Sequence, residues 1–194
     1  MKNRFISVIS ITLIVAELLL FFFSWIISAT LTEGIHSLLS AEGIRWFLSH
    51  FTDIIQSPLL IWLILISIGY GCLKRSQILS FRHYDYRQKI AIRWTLIVLL
   101  LYVITVSILV FAPHAILLSA TGQIWPSPFS NALIPILSTG MVFASVNFGV
   151  ISHSFNSATT ITNAMVDGIR DASPIILIYV LGTLLYHSVC YVFI

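Results

Sequence analysis

A carboxylate, an imidazole and a carboxamide stand inside the long apolar runs of this chain: Glu17, His187 and Asn147. At membrane depth these groups can carry a proton, hold a cation or meet a polar substrate. A charge kept there is costly unless protein or water satisfies it. Glu17 is the lone carboxylate inside the runs. Two readings of it stay open: a proton- or cation-coupled site, or a neutral acid hydrogen-bonded to a neighbouring helix or a second subunit. Counted from the centres of their runs at about 1.5 Å per residue, Glu17 and His187 differ in depth by only about 5 Å. A Glu17–His187 pair is therefore one expectation, and a histidine satisfied by a backbone carbonyl is the other. Asn147 shares its run with Pro135, Gly140 and Gly149. Such interruptions can free backbone groups for a substrate, or simply kink the helix and admit close packing.

Other chemistry is thin. No Gly-rich phosphate loop and no Cys or His pairs at metal-ligand spacing are present, so neither an enzyme nor a cofactor or metal is expected. His83 and Asp85 share a basic loop without a nearby nucleophile, and His36, His50, His114 and His153 are scattered over predicted loops. Cys72 and Cys190 fall near opposite faces of the membrane, too far apart for a disulfide, and are expected to be free thiols.

The elements that must hold these residues follow from composition. The 194 residues are 58% hydrophobic and 9% charged, against about a quarter charged in a soluble domain. An all-α integral membrane protein is expected, forming one membrane domain over 1–194. About 20 residues cross the hydrocarbon core as a helix, and five runs reach or approach that length: 5–29, 58–73, 94–112, 132–151 and 174–193. None alternates as a barrel strand would. The first is too long for a signal-peptide core and is read as a retained span.

Two amphipathic helices are expected between spans, at about 41–56 and 158–172. In the first, Ile44, Phe47, Leu48, Phe51, Ile54 and Ile55 recur at helical spacing, with Ser40 as N-cap and Glu42 in the first turn. Such helices lie in the interface or cover the end of a bundle as connectors. Each ends in Ser-Pro, at Ser57-Pro58 and Ser173-Pro174, and proline suits the first position of the following span. Span, amphipathic helix, Ser-Pro, span thus occurs twice in opposite orientation, which suggests an inverted-topology repeat. Gly69, Gly71 and Gly182 invite close helix packing.

Lys2 and Arg4 precede the first span, and Lys74, Arg75, Arg82, Arg87, Lys89 and Arg93 cluster between the second and third. The loop 113–131 has neither Lys nor Arg. The positive-inside rule places the N-terminus and the 74–93 loop in the cytoplasm and the C-terminus outside. The net charge of +3 is explained by topology and by anionic head groups, without a nucleic-acid partner. Trp46, Trp125 and Phe129 suit the outer head-group region.

The stretch LLSAEGIRW from Leu38 to Trp46, Pro58-Leu59, and a span ending in Gly69, Gly71, Lys74 and Ser76 resemble the N-terminal part of the p-aminobenzoyl-glutamate transporter (AbgT) family. Arg93-Trp94, Ser127-Pro128-Phe129, Ile134-Pro135, Gly149 and Asn163-Ala164-Met165 follow in the family's order. The resemblance implies an inner-membrane secondary transporter of p-aminobenzoyl-glutamate or related anions, dimeric and otherwise much longer, with two re-entrant hairpins. The expectation is a short, internally deleted relative in which the hairpins and intervening helices have no counterpart, so no family substrate residue is carried over. The alternative it leaves is a non-transporting scaffold or assembly subunit derived from the dimerisation part. Expected partners are the bilayer and a second copy, or a partner membrane chain.

Overall fold

The computed structural model describes residues 2–30, 34–79, 86–111, 117 and 127–193. It is all-helical over the described residues: α1 (Lys2–Thr30), α2 (Ala41–Ile55), α3 (Pro58–Ser76), α4 (Tyr86–Phe111), α5 (Pro128–Ile151) and α6 (Ala158–Phe193). All but α2 are long and apolar enough to cross a membrane. The outward faces of α1 and α4 carry Phe5, Phe22, Trp25, Leu100 and Val103, each more than half exposed. Such faces are stable against lipid, where a helix satisfies its own backbone groups and the side chains need no burial. His83, Asp85, His114 and Trp125 lie outside the described residues.

The described helices fall into two compact units, Met1–Ile61 with Ser173–Ile194, and Trp62–Ala172. The first unit contains α1, α2 and the C-terminal half of α6. Ser40 caps α2 by accepting the Gly43 N–H at 3.0 Å, and Glu42 occupies its first turn. The helix stops where Gln56 turns to ψ 57°, with its N–H still bonded to the Thr52 carbonyl at 2.9 Å. The buried Leu38 donates its N–H to Ser24 Oγ of α1 at 3.1 Å, and His36 donates its N–H to the Val192 carbonyl of α6 at 3.2 Å. Phe47 meets Phe21 edge-on at 5.4 Å. Trp46 stacks on Tyr191 at 4.2 Å, with His50 and His36 continuing the row of rings. Within this unit α2 therefore covers the ends of α1 and α6.

The second unit contains most of α3, all of α4 and α5, and the first half of α6. Ser127 and Ser130 form a reciprocal capping box at the start of α5, with Pro128 just inside it. Phe155, in the turn after α5, folds back to bury itself with Cys72 and Ala164.

The segment expected as the second amphipathic helix is helical, yet it does not end at Ser173-Pro174. The helix runs on through both residues, making α6 a single helix of 36 residues. Proline removes one N–H from the ladder, a loss that helices at membrane depth tolerate when neighbouring groups re-satisfy the freed carbonyl. The two copies of the expected repeat thus differ: the chain breaks at Gln56-Ser57 and not at Ser173. Cys72 and Cys190 are free cysteines.

Candidate functional site

In the first unit, the C-terminal half of α6 runs beside α1 and sets Ser188 against Glu17. The Ser188 hydroxyl donates to Glu17 Oε1 at 2.6 Å, and Ser188 is wholly buried. Glu17 Oε2 is also buried and has no hydrogen-bond partner among the described residues. Ser10 and Ser24 stand seven residues before and after Glu17 on α1, and all three share one helix face at this spacing. Both serines are buried. Ser24 Oγ donates to the Phe21 carbonyl at 2.9 Å and accepts from Leu38, whereas Ser10 Oγ is buried without a partner among the described residues. A buried polar seam therefore lies along a mainly apolar helix, and at its centre is a carboxyl with one oxygen unmatched among the described residues. A buried acceptor left unmatched costs about 1–3 kcal/mol. The seam is thus a place where a proton or a small cation would relieve a deficit.

His187 does not join Glu17. Successive helical residues point about 100° apart, so the neighbour that faces Glu17 is Ser188, while His187 meets the Tyr186 ring edge-on at 5.4 Å. Asn147 belongs to the other unit, where its Nδ2 donates to the Phe143 carbonyl one turn back on its own helix at 2.8 Å. Within the first unit, then, Glu17 and His187 do not pair. Among the described residues no group of three His, Cys, Asp or Glu side chains could hold a metal ion.

The second unit holds an arrangement that residue types alone did not reveal. Ser67 and Gly71 of α3 face Ala164 and Gly168 of α6, each pair four residues apart on its helix. A Cβ built on Gly71 would collide with the Ala164 carbonyl and come within 2.6 Å of Gly168 Cα, and one built on Gly168 would strike the Ser67 carbonyl. The two backbones are in direct contact, the packing that small-xxx-small sequences permit in membranes. One turn further on, Lys74 Nζ meets Asp171 Oδ2 and Arg75 Nη1 meets Asp167 Oδ2, both at 2.5 Å. These pairs, with Arg170, line a cavity of about 470 Å3 at the end of the crossing. The sequence signal was present: consecutive Lys-Arg on one helix, Asp at i and i+4 on another, and matching small-residue spacings.

Also in this unit, α5 carries Pro135 within its length. Tyr102 of α4 donates its hydroxyl to the Ile136 carbonyl at 2.9 Å, and Ser138 donates to the Leu65 carbonyl of α3. Polar side chains next to the proline thus tie α5 to both neighbours.

Five apolar helices with few ionisable groups at depth define a multi-pass membrane protein. The family model of AbgT transporters matches residues 74–188, more than half of the chain, and the protein belongs to that family. The match spans α4, α5 and most of α6, and so covers Asp167, Asp171, Asn147, His187 and Ser188. Glu17 lies outside it. No curated protein and no solved structure matches the chain significantly.

Proposed function

We propose that the protein takes part in secondary transport of an anionic compound of the p-aminobenzoyl-glutamate type across the inner membrane. In this reading it works as a homo-oligomer with its N-terminus in the cytoplasm, and Glu17 is the coupling group. The observation that carries the reading is the half-satisfied Glu17 carboxyl on Ser188, in a chain that belongs to a transporter family. A carboxyl at membrane depth that can exchange a proton or cation is a recurrent element of ion-coupled carriers.

The test is uptake of labelled p-aminobenzoyl-glutamate by the purified protein in liposomes under an imposed pH gradient. Uptake is expected with the wild-type protein, and Glu17→Gln is expected to abolish its dependence on the gradient. Equal gradient dependence in Glu17→Gln would remove the residue from coupling.

A second reading, a scaffold or assembly subunit, is favoured by the second unit. There the α3–α6 crossing is closed by backbone contact, and the groove between α4 and α5 is apolar. Folded, oligomeric protein that moves no substrate above empty vesicles would select this reading over transport.

A further inference from the structure

A groove of about 380 Å3 runs along α4 and α5 in the second unit, with Leu73 at one end, Leu99, Tyr102 and Val106 on one wall, and Gly140 and Ala144 on the other. Its shape follows from two facts. Gly140 has no side chain, and a Cβ there would sit 3.2 Å from Tyr102 Cε1, so the tyrosine ring lies close against the bare backbone. Tyr102 also spends its hydroxyl on the Ile136 carbonyl, so that wall is mainly apolar, with Ser107 as a further hydroxyl in its lining. Lining residues on α5 extend from Ile136 to Ala144, a rise of about 12 Å.

The groove is not apolar at both approaches. Leu73 is followed by Lys74 and Arg75, and the first turns of α4 carry Arg87, Lys89 and Arg93, all exposed. Arg87, Lys89 and Arg93 have no ion pair among the described residues. Arg93 precedes Leu99 by six residues, about 9 Å along the helix axis. The α4 wall of the trough thus leads, about two to three turns beyond Leu99, to exposed cations with no ion pair among the described residues, an order that fits an amphiphile with a long apolar tail and an anionic head. Basic sites at the ends of membrane helices bind anionic head groups in this manner.

We propose that this groove is a binding site for an anionic glycerophospholipid. One acyl chain lies between α4 and α5 over Gly140, and the phosphate is held by Arg93 and Lys89. The site is independent of the transport reading, because it uses neither Glu17 nor any flux.

The experiment incorporates the full-length protein into nanodiscs of equal parts phosphatidylglycerol and phosphatidylcholine. It then releases the protein into mild detergent and counts retained lipids by native mass spectrometry. Phosphatidylglycerol is expected to be retained over phosphatidylcholine by roughly tenfold. The double variant Arg93→Gln/Lys89→Gln should bring the ratio to near one without change in helical circular dichroism. Ala144→Leu, which fills the trough and leaves the Gly140–Tyr102 contact alone, should cut total retention while both basic residues remain. Equal retention of the two lipids by the wild-type protein would overturn the proposal, and so would an unchanged ratio in the double variant or full retention in Ala144→Leu.

Discussion

Gly71→Ala adds a single methyl group at the point where α3 and α6 touch backbone to backbone. Its Cβ would lie 2.6 Å from Gly168 Cα and overlap the Ala164 carbonyl. No side-chain rotation relieves an overlap with backbone, so the helices must part locally. Reaching the 3.4 Å of ordinary van der Waals contact requires a shift of about 0.8 Å at Gly168 Cα alone. Overpacking of this kind costs about 1–3 kcal/mol, and contact with rigid backbone argues for the upper end. Alanine returns about 1 kcal/mol through its better helix propensity. The net expectation is a loss of about 2 kcal/mol, or roughly 4–8 °C in melting temperature for a chain of this size. Gly182→Ala is the control, because a Cβ at that position meets nothing within 4 Å. It should be neutral or slightly stabilising, so the difference between the two variants isolates the contact at about 3 kcal/mol. Gly168→Ala should behave like Gly71→Ala. The double variant should lose less than the two single losses combined, since both methyl groups press on one crossing. The assay is thermal unfolding in detergent followed by circular dichroism at 222 nm. A Gly71→Ala protein that melts with, or above, Gly182→Ala would refute the claim that the backbones are in contact.

Ser188→Ala takes away the hydroxyl that donates to Glu17 Oε1 and should lower stability by about 1 kcal/mol, whereas Glu17→Leu/Ser188→Ala removes acceptor and donor together and should recover most of that loss in the same melt. The Arg75–Asp167 pair has side chains roughly half exposed, at 46% and 48%. Asp167→Asn should therefore lower stability by only about 0.5 kcal/mol in low salt, with the difference from wild type vanishing at high sodium chloride. A larger, salt-independent loss would mean that the pair is shielded from solvent.

The membrane class, the existence of the spans and the cap of α2 were legible in the residues. Each depends on local chemistry: an apolar run long enough to cross lipid, a serine before a helical pattern, an acid in the first turn. The family was legible as well, and Arg93-Trp94, Ser127-Pro128-Phe129 and Asn163-Ala164-Met165, on which the resemblance partly rested, lie inside the matched segment. Other features were not readable this way. Ser173-Pro174 looked like a helix boundary, because proline lacks an N–H and constrains the residue before it. At Ser57-Pro58 the chain does break, but at Ser173-Pro174 it does not, and the two sites share the same dipeptide.

Glu17 marks the division most clearly. Its type and depth, read from the sequence, already required a partner, because a carboxyl in an apolar run cannot remain unmatched without cost. Which partner it takes was decided only by the packing of α1 against α6. Rotation by one residue about a helix axis exchanges the imidazole of His187 for the hydroxyl of Ser188, and depth along the axis carries no information about that angle. The same holds for Lys74 and Arg75, which the sequence marked as a topology signal, and for Asp167 and Asp171, to which it gave no role: small residues let two backbones meet and brought the four together. Sequence by itself determined what each segment dissolves in and which groups would be costly there. Tertiary structure decided which groups face one another, because facing depends on helix rotation and closest approach, and those are set by packing between segments distant in the chain.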